Sequence, residues 1–400
     1  MRKSLGFFCP ENYLYLNKTK FIEHNGIKLK TDYLISMIHD ILIKFQLDDD
    51  DIELNEFTIN LYSKILRDRY GLHYNTYIDY LVQIGFIRLK SDYFSGKKAR
   101  TYLLNWFELD KIKRVNVYDN ILIKNSYKDF HRKLNAKSPI DIEIRKKLVE
   151  DLNHVKIDFN KADTFLNDLK DKGRITNSKF FKNYQSINNI HENNIFFIFD
   201  DFGRMHTNFT VLKKEIRKNF LTIDGESVDE IDIKNSQPFF LSKIIKYEMS
   251  ITDQEVKLFV DLVDNGLFYD HFISKYSKYF SSENEQENRI SCKKFVYKVL
   301  FGQNGSKSEQ AKMFREQFPK IYAFIVSTKK ANRDYKYFSH RLMGMESEFI
   351  FNKVVCDLYK QVKGIRLFTI HDSIMFPVKY REQVEKIFNT HLRNYDKSLL

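Results

Sequence analysis

The sequence has few cysteines, few prolines and no long apolar run. Its three cysteines, Cys9, Cys292 and Cys356, are scattered along 400 residues. We therefore expect neither a disulfide framework nor a zinc site built on a Cys-x-x-Cys pair. The five prolines form no proline-rich linker, so domain boundaries have to be read from changes of pattern.

No apolar run approaches the ~18 residues that a membrane-spanning helix needs, and no apolar signal segment follows the first residues. We therefore expect no membrane partner, and a cytoplasmic location or, for a viral protein, one inside a host cell. Hydrophobic residues make up 43% of the chain and aromatic residues 15%, which is enough for two or three domains with cores. The formal net charge of +13 favours a polyanionic partner such as DNA or RNA.

Residues 31–110 have the pattern of a winged-helix domain. Three helical patterns occur at 32–47, 62–70 and 75–84. They are followed by two strand-like stretches, at 85–89 and 100–104, that flank a basic turn. In such a module the third helix enters a major groove, while Lys97, Lys98 and Arg100 contact phosphates. A winged helix that binds a protein is the alternative.

The rest of the chain divides into an N-terminal segment at 1–30, a middle region and a C-terminal half. Residues 111–194 are mostly helical in pattern and predict a helical connector or thumb-like region. Residues 195–400 contain the residues that carry chemistry. Asp141 and Glu143 have the spacing of an exonuclease carboxylate pair, but they lie in a charged helical stretch without later partners, so we expect no proofreading activity.

Two aspartates lie where predicted strands end. Asp232 ends a strand in which apolar and acidic residues alternate, shortly before a helix start marked by Pro238. Asp372 lies at the tip of a predicted β-hairpin over 364–377. Two carboxylates on adjacent strands, with no soft ligands nearby, suit Mg²⁺, and a pair of such ions can stabilise the attacking and leaving oxygens of phosphoryl transfer.

Between the aspartates, four residues recur at intervals of four. Arg289 and Lys293 are followed by Tyr297 and Phe301, and Gly302 comes next. On a helix this spacing places two cations and two aromatic rings in one continuous stripe. The cations can bind a triphosphate, while the rings meet the sugar and the base.

An aspartate strand, this stripe and a His-Asp hairpin, in that order, resemble motifs A, B and C of the family A DNA polymerases and of the related phage-type single-subunit RNA polymerases. The resemblance covers Gly203 to Pro377. It implies an α+β fold in which a right-hand palm, built on an antiparallel sheet, carries helical fingers and thumb-like helices. It also implies template-directed addition of nucleotides to a 3′ end with two Mg²⁺ ions, for which Mn²⁺ can substitute. The expected partners are nucleoside triphosphates and a DNA template and primer, with RNA as an alternative.

The resemblance also implies a role for each matching residue. Metal binding would fall to Asp232, Asp372 and the carbonyl of Ile233. The nucleotide site would comprise Arg289, Lys293, Tyr297, Phe301 and Gln237. The primer or template would contact His371, Arg204 and Gly302.

Three positions leave the choice of sugar open. Gln237 stands where family A DNA polymerases carry the Glu that excludes a ribose 2′-OH. Phe301 replaces a Tyr whose hydroxyl the RNA polymerases use, which favours deoxynucleotides, whereas Ser373 after His-Asp matches the RNA polymerases. We favour a compact DNA polymerase that replicates a plasmid, phage or mobile element. The alternatives are a single-subunit RNA polymerase or primase and a non-catalytic winged-helix initiator or regulator.

Overall fold

The computed structural model describes residues 4–47, 57–92, 100–105, 112–135, 138–249, 252–303 and 308–395. The chain forms two compact units. The first comprises Met1–Ala136, Lys146–Ile198 and His206–Asp229, and the second comprises Lys137–Arg145, Phe199–Met205 and Glu230–Leu400. Within the described ranges, no helix combines the length and apolar character needed to cross a membrane.

The first unit begins with three short strands and a long helix: β1 (Leu5–Pro10), a 3-10 helix (Glu11–Lys18), β2 (Phe21–His24), β3 (Ile27–Lys30) and α1 (Thr31–Leu47). Strands β2 and β3 form an antiparallel hairpin. Helix α1 buries the residues whose spacing predicted it, among them Leu34, Ile38, Leu42 and Phe45. The ring of Phe45 packs edge-on against Phe57 with centroids 4.8 Å apart, inside the main hydrophobic core of this unit.

A small sheet and two helices follow: β4 (Phe57–Asn60), α2 (Ser63–Tyr70), α3 (Tyr74–Gln83), β5 (Ile87–Ser91) and β6 (Thr101–Leu104). Strand β6 lies between β4 and β5 and is antiparallel to both. Helix α3 buries three tyrosines, Tyr74, Tyr77 and Tyr80, because they share one helical face with Ile78 and Leu81. Helices α2 and α3 and strands β5 and β6 lie close to their predicted bounds, whereas strand β4 was not predicted. Lys97 and Lys98 lie outside the described residues.

The chain from 112 to 232 contains both helices and short strands. They are β7 (Ile112–Val117), α4 (Asn120–Leu134), α5 (Ile142–Leu152), β8 (Val155–Ile157), α6 (Phe159–Asp171), α7 (Asn177–His191), β9 (Phe197–Phe199), β10 (Met205–Thr207), α8 (Asn208–Val211), α9 (Lys214–Phe220), β11 (Leu221–Ile223) and β12 (Glu226–Asp232). Strand β7 pairs antiparallel with β1, and β11 pairs with β8 and with the start of β12. The region predicted as a helical connector therefore contains strands β7 and β8 as well as helices.

The second unit is mainly helical and includes the end of β12. Its elements are α10 (Ser236–Glu248), α11 (Gln254–Asp264), α12 (Phe268–Lys275), α13 (Glu285–Phe301), α14 (Glu309–Gln317), α15 (Pro319–Ala331), α16 (Tyr337–Ser347), a π-helical segment (Glu348–Val355), α17 (Cys356–Gln361), β13 (Phe368–Ile370), β14 (Ser373–Pro377), a 3-10 turn (Val378–Tyr380) and α18 (Arg381–Asn394). In the sheet, β14 lies between β13 and β12. Helices and antiparallel sheets thus make up the fold, as the α+β prediction states.

Candidate active site

The two predicted metal-binding aspartates lie on neighbouring segments of the second unit. Asp232 is the last residue of β12, and Asp372 lies in the two-residue turn between β13 and β14. The backbone N–H of Ile233 donates to the backbone carbonyl of Asp372 at 3.3 Å. Asp232 is exposed and Asp372 is half-buried. The tertiary structure therefore brings together two carboxylates that the sequence separates widely.

Left-handed backbone conformations occur beside both aspartates. His371, in the hairpin turn, has φ 52°, and Asn235, at the N-cap of α10, has φ 55° and ψ 44°. A non-glycine residue in this region costs about 1–2 kcal/mol relative to ordinary backbone. Such conformations cluster at active sites and ligand clamps, where the surrounding structure enforces them. The backbone therefore turns sharply directly before Asp372 and shortly after Asp232.

The environment of Asp372 favours its protonated form. Burial and then the negative charge of Glu346 raise the pKa of Asp372 to about 6; Asp232 acts in the same direction, whereas the positive charge of Lys293 opposes the shift. A pKa raised by burial and nearby like charge is typical of functional sites. A divalent cation placed here would relieve this repulsion.

A buried carboxylate, Glu346, joins several residues of the site. Its Oε1 accepts hydrogen bonds from Nε and Nη2 of Arg204 at 2.9 and 2.5 Å. Its Oε2 accepts from Oγ of Ser236 at 2.6 Å and from Nε2 of Gln237 at 2.8 Å. Four donors on one carboxylate satisfy its charge in a site from which water is excluded. Glu346 thus fixes Arg204 and Gln237, both of which the sequence placed at the site.

Sequence reasoning missed Glu346, although a signal for it exists. Leu342, Phe349 and Ile350 lie four residues before it and three and four residues after it, and all three are fully buried. A carboxylate on such an apolar helical face must have partners, because a lone buried charge is very costly. The partners themselves cannot be read from the sequence, since they lie on distant segments.

The predicted stripe on α13 is present, and its members contact one another in pairs. The rings of Tyr297 and Phe301 lie 5.2 Å apart, and Nζ of Lys293 lies 5.7 Å from the ring of Tyr297. Burial and the charges of Asp372 and Glu346 raise the pKa of Tyr297. The middle of the stripe therefore lies within the electrostatic reach of the two carboxylates.

The first residue of the stripe is held by an acidic neighbour. Nη1 of Arg289 donates to Oδ1 of Asp270 at 2.8 Å, and its guanidinium lies 5.8 Å from the ring of Tyr269. Both partners of this ion pair are about half exposed, so the pair contributes little to stability. Asp270 and Tyr269 were not identified from the sequence.

Ser373 contributes to the hairpin itself. Its buried hydroxyl donates to the carbonyl of Ile370 at 3.0 Å, across the turn that contains His371 and Asp372. This hydrogen bond accounts for a hydroxyl at position 373 without any contact to a nucleotide. Its agreement with the RNA polymerase pattern is therefore weak evidence for a preference for ribose.

Gly203 lies where a larger residue cannot fit. Its φ is +88°, and a Cβ there would lie 2.8 Å from Cγ of Pro139 and 3.2 Å from Cβ of Ser347. We expect Gly203→Ala to lower the free energy of unfolding by about 2–4 kcal/mol, through backbone strain and steric overlap together. It should also lower activity, because Arg204 is the next residue. Urea unfolding of the purified variant measures the first effect.

Gly364 supplies a matched control for this substitution. It has a similar φ of +77°, but no atom lies within 4 Å of the position of its Cβ. Gly364→Ala should therefore cost only the backbone strain, about 1–2 kcal/mol. Equal losses in the two variants would show that close packing at Gly203 is unimportant.

A buried lysine caps the end of α13. Lys329, on α15, is 2% exposed, and its Nζ donates to the carbonyls of Val299 and Gly302 at 3.2 and 2.9 Å. These bonds supply partners to carbonyls at a helix end, where intrahelical donors are missing. Burial lowers the pKa of Lys329 from its usual 10.5 to about 8.

This pKa predicts a pH dependence of stability. Between about pH 8 and pH 10.5 the unfolded chain holds a proton on Lys329 that the folded protein has lost. The free energy of unfolding should therefore rise with pH in this window. Lys329→Met should remove this part of the rise, whereas Lys330→Met, at an exposed neighbouring position, should keep it. Urea titrations across the window measure both, and the same slope in all three proteins would contradict the assignment.

Arg100, the described member of the predicted wing contacts, lies just before β6. Its Nε lies 3.3 Å from Oδ1 of Asp92, and 47% of its side chain is exposed. A side-chain hydrogen bond with Tyr102 and the negative charges of Asp92 and Asp79 raise the pKa of this half-exposed arginine. The position of Arg100 is compatible with the predicted contact to a phosphate but is not evidence for it.

The protein matches no protein-family model, and a search of curated proteins also gives no match. Among solved structures, the chain is similar to the POL domain of Pol1 from M. smegmatis, in a complex with DNA primer-template and dNTP. The identity is 11%, the alignment covers 69% of this chain and 70% of that chain, and the TM-score is 0.42.

Proposed function

We propose that the second unit is a template-directed nucleotidyltransferase that adds nucleotides to a nucleic-acid 3′ end. One observation carries this proposal: Asp232 and Asp372 lie on hydrogen-bonded neighbouring segments, and Lys293 of α13 acts electrostatically on Asp372. The two carboxylates, which could bind metal ions, thus lie in the same region as Lys293 and the aromatic rings of α13, which could bind a nucleotide. The order of these features along the chain is also that of polymerase motifs A, B and C.

The carboxylate pair fits Mg²⁺. No group of three or more His, Cys, Asp or Glu side chains within the described part of the chain is arranged to hold a metal ion. Magnesium sites in polymerases need fewer protein ligands, because one or two carboxylates act together with substrate phosphates. Asp232, Asp372 and the Ile233 carbonyl would hold the ions, which when bound stabilise the attacking and leaving oxygens.

The other residues would then bind and orient the substrates. Lys293 and Arg289, once Arg289 is released from Asp270, would bind the triphosphate as charge-assisted donors. The rings of Tyr297 and Phe301 would contact the sugar and base. Arg204, fixed by Glu346, would present its remaining guanidinium nitrogen to the primer or template, on the side where we place His371 and Gly302.

We favour deoxynucleotides as substrates and a compact DNA polymerase as the enzyme. The side chain at 237 is an amide, but it donates to the carboxylate of Glu346. A negative charge is therefore present next to the position where DNA polymerases carry their own Glu. Phe301 has no hydroxyl to offer a ribose, and the hydroxyl of Ser373 is used within the hairpin. Both observations weaken the alternative of an RNA polymerase or primase.

Primer extension with each nucleotide set tests this proposal. The 400-residue protein, Mg²⁺ and a labelled DNA primer on a DNA template should yield extended products with dNTPs. Products with NTPs should be scarce. Extension with NTPs alone would overturn the assignment to DNA synthesis, and an RNA template or an unprimed template in parallel reactions would reveal a different template or a primase.

We further propose that 31–110 is a winged-helix domain that binds DNA. The elements follow the order expected of a winged helix: one helix, one strand, two helices and a two-stranded wing. Strand β6 lies in the centre of the three-stranded sheet. Asn75 and Gln83 are exposed on α3, and such amides can read adenine in a major groove. Asn75→Ala with Gln83→Ala should reduce discrimination between DNA sequences in a selection from random duplexes. Unchanged sequence preference would favour a protein partner instead.

A further inference from the structure

Helix α4 of the first unit carries a basic face that the proposed active site and the predicted wing do not use. Lys124, Lys128 and Arg132 recur every four residues and are exposed, with Tyr127 and His131 between them. A helix rises about 1.5 Å per residue, so the three cations lie about 6 Å apart along its axis. Residues at these intervals share one side of a helix. Cations and rings therefore alternate along this side.

The positive charge of this face is only partly compensated. The carboxylate on α4, Asp129, is engaged by Arg132, by Lys133 at 3.0 Å and by Arg69 at 3.9 Å. Lys124 and Lys128 form no ion pair with any residue that the structure describes. Two cations in the middle of the helix thus remain available to an external anion.

Helix stability explains only one end of this pattern. Basic residues in the last turn, such as Arg132 and Lys133, interact favourably with the helix dipole. That effect falls off within one turn, so it does not account for Lys124 or Lys128. Nor does core packing, because both side chains point to solvent. Binding of a polyanion would account for the cations along the whole face.

The surroundings of the cations favour nucleic acid among polyanions. Lys124, Tyr127, Lys128 and His131 line one shallow surface groove. Near it, Ile121 is 58% exposed and Phe130 is 40% exposed. Phosphate-binding cations combined with rings and apolar side chains are the combination by which proteins hold single strands and unpaired bases.

We propose that the α4 face, defined by Lys124, Tyr127, Lys128, His131 and Arg132, is a nucleic-acid-binding surface whose residues belong neither to the predicted wing nor to the candidate active site. The cations contact consecutive phosphates, and Tyr127 stacks against a base or sugar. The choice of nucleic acid over other polyanions rests on the proposed function. The surface would bind template or primer strand.

The test is the salt dependence of binding, measured by fluorescence anisotropy on a labelled single-stranded DNA and a labelled duplex without nucleotides. Lys124→Gln with Lys128→Gln should weaken binding, and the slope of log affinity against log salt should fall by about 1 per lysine. Tyr127→Ala should weaken single-strand binding by about tenfold with an unchanged slope. The matched control is Lys214→Gln with Lys218→Gln, an exposed pair at the same spacing on α9, which should change the slope little.

Equal effects of the two lysine pairs would show a general response to net charge and would overturn the proposal. The proposal would also be overturned if the Lys124→Gln, Lys128→Gln variant kept its affinity for DNA but lost affinity for polyglutamate. That result would indicate that the face binds an acidic protein. Circular dichroism of each variant separates binding effects from loss of fold. Because the assay needs no catalysis, a failure of the polymerase assignment would appear in primer extension and leave this readout intact.

Discussion

Asp372→Asn should reduce nucleotide addition by about a thousandfold or more. The substitution keeps the size of the side chain but removes one of two charges that would hold Mg²⁺. Stabilisation of transition-state charge by such an ion is worth several kcal/mol, and ~4 kcal/mol corresponds to about a thousandfold in rate. Primer extension at saturating dNTP and Mg²⁺ measures the rate, and anisotropy measures DNA binding, which should persist.

Asp261→Asn is the matched control for this prediction, since Asp261 is an exposed residue of α11 in the same unit. It should leave the rate of nucleotide addition unchanged. A fully active Asp372→Asn variant would contradict the catalytic assignment. If wild type and variant both bound DNA and neither extended a primer, the non-catalytic initiator or regulator would become the better hypothesis.

Glu346→Ala should lower the free energy of unfolding of the second unit by about 3–5 kcal/mol. The loss arises because Arg204, whose side chain is 16% exposed, would keep its charge without its partner. Ser236 and Gln237 would each lose an acceptor as well. Urea unfolding followed by fluorescence and circular dichroism measures this effect. Glu385→Ala should cost about 0.5 kcal/mol or less, because its ion pair with Arg381 is exposed.

Two further variants separate the structural role of Glu346 from its effect on the active site. Arg204→Met with Glu346→Met should recover part of the lost stability, because two apolar side chains leave no buried charge. It should remain poorly active, since no guanidinium would face the nucleic acid. Glu346→Gln should fold, and its ratio of dNTP to NTP incorporation should fall if the carboxylate supplies the negative charge missing at Gln237. An unchanged ratio would limit Glu346 to holding Arg204.

Local patterns in the sequence located the elements on which most of the candidate site residues lie. Alternation of apolar and acidic residues located the end of β12, and two apolar stretches around His371 and Asp372 located the hairpin turn. Spacing of four residues located the stripe on α13. These features depend on interactions between near neighbours in the chain, so a single sequence contains the information. The helical connector was less well predicted, because β7 and β8 exist through pairing with distant strands.

The sequence by itself located the strand end and the hairpin turn that carry the two aspartates and the helix that carries the stripe, and it showed that the protein has the charge to bind a polyanion. Only the tertiary structure decided what surrounds those aspartates. Glu346 lies 109 residues from Gln237 and 142 from Arg204, yet it accepts hydrogen bonds from both. The pKa of Asp372 and the capping role of Lys329 likewise depend on burial among distant segments. No local pattern contains such contacts, because folding brings these charges together only when the helices pack.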